Sequence, residues 1–475
     1  MPAPLRREAS DVTTTAGATG SRVSATRHPL IDAGPGGVLP PLPKTAWLEI
    51  DLAKLTANVR LLQGLLPPGV RVEPVVKADA YGHGAVAVSR ALVTDGIRGL
   101  GVATYDEALE LRQAGIEVPI VVLFPIPAEL APDAMRHCMS ITVGDQLLLG
   151  RTLAALDAAV AAGVGAAPAS EAASRGESRR LAIHVEVETG LGRGGVHPED
   201  VATAVAAIEA SPNARLAGLW SHLQAPGDAG TSSQQDARFG AASGLLEEAG
   251  VTIPARHLAA SGGLLGATAG SYDVVRIGIA QYGIVPDGLE VAERNRLAAA
   301  GLQPVMELLA RPVRVAWLDP GVGVSYGPSF VTTRRSRIAT LPLGYADGYP
   351  RSLSNKAQVL VRGVRAPQVG TVAMDAIMVD VTDVPGPEVT IDDEFVLIGE
   401  QGGERISALD VARWGNTISY EVIAAMSGRL PRVYYAAAEA VAMRAVACDA
   451  SRGPGRIDDR SAEAPEEAPG PLGCE

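Results

Sequence analysis

A lysine, a phenol and an imidazole lie close together in the segment Lys77-Ala78-Asp79-Ala80-Tyr81-Gly82-His83, directly after the apolar run that ends at Val76. The chain holds 41 basic residues, but lysine occurs only at Lys44, Lys54, Lys77 and Lys356. A guanidinium keeps its proton, whereas a partly buried amine loses it readily and can form a Schiff base with an aldehyde. This placement of Lys77 indicates amine chemistry. Taken alone, Lys77 has an alternative reading as a structural lysine, whose aliphatic stem packs on the core while its ammonium reaches water.

The elements that position this lysine belong to a chain of 475 residues, which exceeds what one hydrophobic core usually supports, so we expect two domains. Residues 1–43 are rich in Ala, Thr, Ser, Gly and Pro and are predicted to be a disordered arm, and residues 447–475 a disordered acidic tail. The sequence has no secretory apolar region and no 18-residue apolar span, so we expect a cytoplasmic protein.

The net charge of -12 argues against non-specific binding to nucleic acid, because neutralising phosphates requires basic patches. The three cysteines Cys138, Cys448 and Cys474 are too widely spaced for a disulfide framework or a zinc cluster. The histidines show no metal-ligand spacing either. Small molecules are therefore the expected partners, with no metal site and no membrane association.

Between residues 44 and 300, short β-branched runs alternate with helix-like segments, which is typical of parallel strands joined by helices. The candidate strands are Trp47 to Ile50, Val70 to Val76, Leu100 to Val102, Ile120 to Leu123, Ile141 to Val143, Leu181 to Val187, Leu216 to Trp220, Arg256 to Leu258 and Val274 to Ile277. About eight such units predict a TIM-like (β/α)8 barrel. A low-complexity stretch at 158–179 is predicted to be a surface insertion.

From residue 301 to 446 the pattern changes to strands without long intervening helices, which predicts a mostly β C-terminal domain. The candidate strands are Val313 to Leu318, Arg337 to Leu343, Gln358 to Val361, Ala376 to Val381 and Phe395 to Ile398, with helices near Ser407 to Trp414 and Tyr420 to Met426.

Several separated motifs resemble those of alanine racemase, an enzyme that uses pyridoxal 5'-phosphate (PLP), and the resemblance runs from about Trp47 to Tyr434. The motifs are the Lys77 segment, Trp47 to Leu52, Thr189-Gly190-Leu191-Gly192-Arg193, Arg276 to Gly283, Val324-Ser325-Tyr326-Gly327, Gly344 to Gly348, Gly370 to Asp375 and Arg429-Leu430-Pro431-Arg432. Any one is weak evidence, but their order and spacing together are specific. The resemblance implies a barrel followed by a β domain, and interconversion of L- and D-alanine for cell-wall precursors.

By this resemblance, Lys77 anchors PLP and is one acid/base at the substrate Cα, while Tyr326 is the other, on the opposite face. Two bases are needed because a single base tends to return the proton to the face it came from. In the family that tyrosine comes from the second subunit, which implies a homodimer with shared active sites. From its tripeptide alone, Tyr326 is equally well a half-exposed packing aromatic.

The resemblance also implies the other cofactor contacts. Arg276 faces the pyridine nitrogen; a guanidinium does not readily give up a proton, so the ring nitrogen stays unprotonated, which favours reprotonation over transamination. The alternative for Arg276 is a salt bridge at the end of the barrel. The phosphate contacts are Tyr81, Ser261, the backbone amides of Gly278 and Ile279, and Tyr420, while His222 lies beside the ring and His257 supports Arg276. Taken alone, Ser261 is also well suited to cap a helix. The alternative for His222 and His257 is that both are polar residues at strand ends whose hydrogen bonds are satisfied.

Arg193, the Met374 backbone N–H and Tyr345 are implied to contact the substrate or line its entrance. The chain departs from the family at Glu186, where many members have a lysine that becomes carbamylated, and this leaves substrate identity open. A broad-specificity amino-acid racemase keeps every motif. PLP decarboxylases of the same fold are disfavoured by Arg276 and by the lack of cysteine between Cys138 and Cys448. A non-catalytic PLP-binding protein is disfavoured by the second domain and Tyr326.

Overall fold

The computed structural model describes residues 30–33, 39–163, 180–268, 272–436 and 439–445. Its strands are β1 (Leu30–Asp32), β2 (Ala46–Asp51), β3 (Arg71–Pro74), β4 (Leu100–Val102), β5 (Ile120–Val122), β6 (Met139–Val143), β7 (Leu181–Glu186), β8 (Ala214–Trp220), β9 (Arg256–His257), β10 (Val274–Ile277), β11 (Met306–Ala310), β12 (Arg314–Leu318), β13 (Ser336–Leu341), β14 (Gln358–Val361), β15 (Val364–Val369), β16 (Ile377–Asp380), β17 (Phe395–Gln401), β18 (Glu404–Ile406), β19 (Arg432–Ala436) and β20 (Glu439–Arg444). The helices are α1 (Leu52–Gln63), α2 (Lys77–Tyr81), α3 (Ala85–Thr94), α4 (Tyr105–Gln113), α5 (Ala131–Arg136), α6 (Gln146–Ala161), α7 (Val201–Ala210), α8 (Ala229–Glu248), α9 (Ser261–Gly266), α10 (Arg296–Gly301), α11 (Ala408–Gly415) and α12 (Ser419–Ala424).

Strands β3 to β10 are parallel and form the barrel. Pairing runs from β4 to β9 in sequence order, and β10 pairs with β3. The parallel bridges Val75↔Gly101 and Ala260↔Arg276 join these two sheets into a ring of eight strands. This arrangement confirms the barrel that the alternating pattern predicts. All eight strands point their carboxyl ends to the same side, which is where barrel enzymes carry their active sites.

Helix α1 shows why the flanking segments become helices. The side chain of Asp51 accepts the N–H of Lys54 at 2.9 Å and so caps the first turn. Leu55, Val59 and Leu62 recur at helical spacing and are buried, while Ala53, Ala57 and Arg60 on the other side are exposed. Each such buried leucine contributes about 2 kcal/mol from the removal of apolar surface from water.

The mostly β C-terminal domain is also confirmed, and it is built on a twelve-stranded sheet with the order β1-β20-β19-β2-β11-β17-β14-β15-β16-β13-β12, in which β18 adds to β17. The pairing of β2 corrects one expectation. Trp47 to Ile50 is a strand, but it lies between β11 and β19 in this sheet and not in the barrel. Its apolar run is indistinguishable from that of a barrel strand, and only its pairing partners decide where it lies.

Parts of the predicted arm, tail and insertion fall outside the described residues. Within residues 1–43, Leu30–Asp32 pair with β20 as an antiparallel strand. The first four residues of the predicted insertion at 158–179 continue helix α6, and its residues 164–179 lie outside the described part of the chain. The predicted acidic tail, residues 447–475, also lies outside the described residues. Among the described helices, none combines the length and hydropathy needed to cross a membrane.

Candidate active site

Lys77 lies just past the carboxyl end of β3, at the start of a turn with unusual handedness. Ala78, Asp79, Ala80 and Tyr81 all have φ between 52° and 55°, in the left-handed region. For residues with a Cβ this conformation costs roughly 1–2 kcal/mol per residue. The strained turn therefore needs compensating contacts from its surroundings.

Those contacts come from β19 and β20, the last two strands that the structure describes. Arg444 of β20 donates two hydrogen bonds to the carboxylate of Asp79, one of them 2.7 Å long, and Asp79 also accepts the N–H of Ala85 at 2.8 Å. Arg432 of β19 is fully buried and donates to the carbonyl of Gly82 at 2.8 Å. The C-terminal sheet thus fixes the turn that carries Lys77.

Glu107 at the start of α4 holds the turn from the other side. Its carboxylate accepts the N–H of Ala78 at 2.6 Å and the N–H of Ala103 at 2.7 Å. These bonds tie the residue after Lys77 to the residue after β4. The backbone of Lys77 is therefore anchored on both sides.

A pocket of about 210 Å³ opens at this end of the barrel. Nine of the predicted site residues line it: Lys77, Tyr81, Arg193, His222, Ser261, Arg276, Gly278, Ile279 and Tyr420. Apolar side chains, among them Val75, Leu123 and Leu223, form much of the remaining wall. Such a concave and largely apolar site with a few convergent polar groups is typical of a cofactor pocket.

Arg276 is buried at the base of the pocket and its terminal nitrogens are fully engaged. Nη1 donates to Nδ1 of His257 at 2.7 Å and to its carbonyl at 3.0 Å. Nη2 donates to the carbonyl of Ser221 at 2.7 Å and to Nδ1 of His222 at 3.2 Å, and the guanidinium lies 4.8 Å from the ring centre of Trp220. A guanidinium has five N–H groups, so the Nε–H remains as a donor for a ligand.

The hydrogen bonds of Arg276 also determine the tautomers of the neighbouring histidines. An arginine can only donate, so Nδ1 of His222 and of His257 must be acceptors. His257 then donates from Nε2 to Nδ1 of His184 at 3.2 Å. Burial, followed by the charge of Arg276, lowers the pKa of His222 to about 3 and that of His257 well below its ordinary value. Both rings are neutral at physiological pH.

A small polar cup lies beside this network. Oγ of Ser261 accepts the N–H of Gly278 at 3.0 Å and that of Ala280 at 3.3 Å. A Cβ on Gly278 would stand 2.5 Å from the phenol oxygen of Tyr81, so that oxygen lies directly against the glycine. The ring of Tyr420 is 6.3 Å from that of Tyr81. Hydroxyls and backbone amides converge here, as phosphate binding requires.

Lys77 lies among cations. Burial lowers the pKa of its ammonium, and the positive charges of Arg193 and Arg276 act in the same direction, opposed by Glu107. Glu186 ends β7 and forms an ion pair with Arg193, with 3.3 Å between Oε1 and Nη2. Burial raises the pKa of the Glu186 carboxyl, and Arg193 opposes that change. The lysine is therefore poised to lose its proton more readily than a solvated one.

Three predicted residues lie outside the pocket wall. Tyr326, Tyr345 and Met374 of the β domain have exposed fractions of 75%, 43% and 51%. The chain by itself therefore does not place the Tyr326 phenol among the residues that line the site.

Several residues that shape the site were not among those predicted from the sequence. Phe124 lines the pocket just after β5, and its ring faces the guanidinium of Arg193 at 5.3 Å. Its position after a barrel strand was the available signal. Glu107 and Arg444 carry no signal in the sequence, and Arg432 belongs to a quoted motif but had no predicted role, because all three contact the Lys77 turn from distant parts of the sequence.

The pocket fits PLP by its donor set. Lys77 would supply the amine for an aldehyde, Ser261 with Gly278 and Tyr81 would form the cup for a phosphate, and Arg276 would place a buried cation beside the neutral His222. The fold and the site together define a barrel enzyme that binds PLP.

Comparison with known proteins agrees with this class. The family model of the alanine racemase N-terminal domain matches residues 50–286, and that of the C-terminal domain matches residues 305–434. The chain is 37% identical over 396 residues to the alanine racemase of Halothermothrix orenii and 39% identical over 399 residues to that of Symbiobacterium thermophilum; each match spans 82% of this chain and 97% of the relative.

Solved structures give the same result. The alanine racemase of Streptomyces coelicolor superposes with a TM-score of 0.71 at 35% identity, covering 82% of this chain and 98% of that one. The alanine racemase of Bacillus anthracis, solved with bound L-Ala-P, superposes with a TM-score of 0.74 at 30% identity, covering 85% and 98%. The chain belongs to the alanine racemase family and is a PLP-dependent isomerase.

Proposed function

We propose that this protein interconverts L- and D-alanine by a two-base mechanism, with Lys77 and the Tyr326 of a second copy of the chain on opposite faces of the substrate. The observation that carries the proposal is the position of Lys77 in a pocket with Arg276 and the Ser261 cup, whereas Tyr326 is exposed outside it. A site with one base in place and a second base at the surface needs another subunit to supply the opposite face.

When bound, PLP stabilises negative charge that develops at the substrate Cα and so makes its proton removable. The chain's own residues control where that proton goes. Lys77, whose pKa is lowered by burial and by Arg193, takes or returns the proton on its face as a neutral amine or an ammonium. The phenol of Tyr326 performs the converse transfer on the other face, and this inverts the configuration.

The remaining predicted residues bind and orient. The guanidinium of Arg193 attracts a carboxylate, and Tyr345 and the backbone N–H of Met374 approach from the β domain of the second copy. Arg276 keeps a fixed positive charge at the base of the pocket, because its Nη groups are held by five hydrogen-bond acceptors, two on His257 and one each on Ser221, His222 and Leu258. The bound cofactor is thereby kept in one orientation.

Solvent-deuterium incorporation at Cα tests the activity. PLP-loaded protein is incubated in D₂O with L-alanine, D-alanine and a panel of other L-amino acids, and the products are resolved by chiral chromatography. We expect exchange and inversion of alanine far ahead of the rest. Equal exchange of larger or charged amino acids supports a broad-specificity racemase instead, and no exchange with PLP bound refutes a catalytic role.

Mixed dimers test the shared site. Lys77→Ala and Tyr326→Phe are each expected to be inactive, but a heterodimer of the two carries one site with both wild-type residues. Random re-association then restores about a quarter of the wild-type activity, because half the dimers are mixed and each has one working site. The control is the Lys77→Ala protein taken alone through the same re-association, which should stay inactive. Verified heterodimers without activity contradict the proposal.

The biological role that we propose is the supply of D-alanine for cell-wall precursors in the cytoplasm. It rests on the membership of the alanine racemase family. A strain that lacks the gene and requires D-alanine for growth supports this role, and a strain that grows without D-alanine contradicts it.

A further inference from the structure

Tyr420, the one predicted phosphate contact that lies in the C-terminal part of the chain, is carried by the short helix α12. The helix spans only Ser419–Ala424, and Ile418 before it has no side-chain atom that could accept a hydrogen bond from its first turn. The first N–H groups of a helix have no partner within the helix, and isoleucine is among the poorest residues for capping them. The start of α12 therefore needs a partner from elsewhere in the chain.

The carboxylate of Asp287 is that partner. Its Oδ2 accepts the N–H of Ser419 at 2.7 Å, and its Oδ1 accepts the Ser419 hydroxyl at 2.8 Å. Ser419 is fully buried, so water does not compete for these bonds. A carboxylate that accepts two hydrogen bonds from one residue fixes the orientation of that residue as well as its position.

Asp287 belongs to the segment that forms part of the phosphate cup. Gly278 and Ile279 stand at the beginning of this segment, and Pro286, directly before Asp287, lines the pocket with them. Because the proline ring restricts φ, the backbone that leads to Asp287 is stiff. The contact between Asp287 and Ser419 therefore ties the start of α12 to the barrel loop that carries the cup.

The other end of α12 is held independently of Asp287. A Cβ on Gly82 would collide with the carbonyl oxygen of Ile423, so this end of the helix lies directly against the Lys77 turn. Just beyond it, Arg432 donates to the carbonyl of Met426 at 2.8 Å. If only this end were fixed, the helix could pivot at its start, where Tyr420 lies.

The start of α12 determines where the Tyr420 phenol lies. Tyr420 lines the pocket, and its ring centre is 6.3 Å from that of Tyr81. Burial, followed by the charge of Asp287, raises the pKa of the Tyr420 phenol to about 12. The phenol therefore keeps its proton and can donate a hydrogen bond to a phosphate. A displacement of about 1 Å at Ser419 would lengthen such a bond beyond its normal range.

We infer that Asp287 is a positioning residue, whose carboxylate fixes the start of α12 and so keeps the Tyr420 phenol at the cup, where it donates to the phosphate of PLP. The inference rests on the proposed function and deepens it, because it names a residue outside the pocket wall that sets the affinity for the cofactor phosphate. Asp287 itself does not line the pocket. Its effect passes through Ser419 to Tyr420.

The test compares the binding of two aldehydes to the PLP-free protein: PLP, and 5'-deoxypyridoxal, which has the same ring and aldehyde but no phosphate. Both dissociation constants are read from the absorbance change on binding. Loss of one hydrogen bond to a charged group predicts about tenfold weaker PLP binding for Asp287→Ala, with unchanged binding of 5'-deoxypyridoxal. Asp287→Asn keeps an acceptor for the Ser419 N–H, and Ser419→Ala keeps that N–H, so both should weaken PLP binding less.

A second comparison tests whether the effect passes through the phenol. In the Tyr420→Phe background the hydroxyl is already absent, so Asp287→Ala should weaken PLP binding no further. Glu290→Ala, which removes an exposed carboxylate a few residues beyond Asp287, is the control and should bind PLP as the wild type does. Because neither measurement needs turnover, a protein without racemase activity leaves the test intact.

Unchanged PLP affinity in Asp287→Ala overturns the inference. So does an equal loss of affinity for PLP and 5'-deoxypyridoxal, because that pattern marks a general collapse of the pocket. Additive effects of Asp287→Ala and Tyr420→Phe also overturn it, because they separate Asp287 from the phenol. If Asp287→Ala does not fold, Asp287→Asn and Ser419→Ala decide, and PLP binding equal to that of the wild type in both refutes the inference.

Discussion

The contact between Gly278 and Tyr81 supports a quantitative prediction about the cofactor cup. An added methyl group in Gly278→Ala would stand 2.5 Å from the phenol oxygen of Tyr81 and 3.2 Å from Cζ, well inside ordinary contact distance. Backbone cannot yield easily at this point, because the N–H of Gly278 is bonded to Oγ of Ser261. The phenol must therefore move away, and its hydroxyl leaves the cup.

The size of the effect follows from the group that is lost. A hydrogen bond from a phenol to a charged phosphate contributes about 1.5–3 kcal/mol, which corresponds to roughly 10- to 150-fold in the PLP dissociation constant. We expect Gly278→Ala and Tyr81→Phe each to weaken PLP binding by this amount. In the double variant the hydroxyl is already absent, so the added methyl group should cost little more.

The assay is a double-mutant cycle on the dissociation constant of PLP, measured by absorbance or fluorescence titration of the PLP-free protein. A coupling free energy of about 1.5 kcal/mol or more is expected between the two positions. Gly150→Ala, on the exposed face of α6 with open space around it, is the matched control and should leave PLP affinity unchanged. Additive effects of Gly278→Ala and Tyr81→Phe would refute the reasoning.

Three further predictions concern the neighbours of this cup. Lys77→Arg keeps the charge but should give no covalent PLP adduct after borohydride treatment, in contrast to the wild type, as intact-mass spectrometry would reveal. Arg276→Lys replaces five donors with three, so buried acceptors lose partners at about 1–3 kcal/mol each, and both kcat and the melting temperature should fall; a variant equal to the wild type contradicts the network. Asp79→Asn removes the ion pair with Arg444 and should lower the melting temperature by roughly 2–5 °C at pH 7. Burial raises the pKa of the Asp79 carboxyl, but the hydrogen bonds and charge of Arg444 outweigh burial and hold this pKa below its ordinary value. The ion pair therefore stabilises the fold above about pH 4, and this stabilisation disappears as the pH falls through the lower pKa of the folded state. Thermal scans should therefore show the two proteins converging in acid, and a constant difference would disprove the linkage.

The barrel could be predicted because its strands are short apolar runs separated by helix-length segments, as in Ile120–Val122 and Val274–Ile277. Trp47 to Ile50 has the same composition, and its position in the other sheet depends on pairing with Met306–Ala310, far along the chain. Strand Val364–Val369 was missed. It contains Pro367, which weakens the pattern of a strand.

Nine of the residues that line the pocket were predicted from short motifs, since Lys77, Arg276 and Ser261 each lie close to their own strand ends. The residues that hold these motifs in place were not predicted. Arg444 reaches Asp79 across 365 positions, and Glu107 reaches Ala78 across 29. A single sequence carries no signal for such pairs, because each partner alone resembles an ordinary surface charge.

The left-handed turn after Lys77 has a consequence for the order in which the protein can become active. A ribosome makes the barrel first, but Arg432 and Arg444, which hold Gly82 and Asp79 in that turn, lie in β19 and β20, the last strands among the described residues. A nascent or clipped chain that stops before residue 444 has its reactive lysine on a turn that lacks part of its support. We therefore expect a chain that ends before β20 to bind PLP more weakly than one that carries both strands.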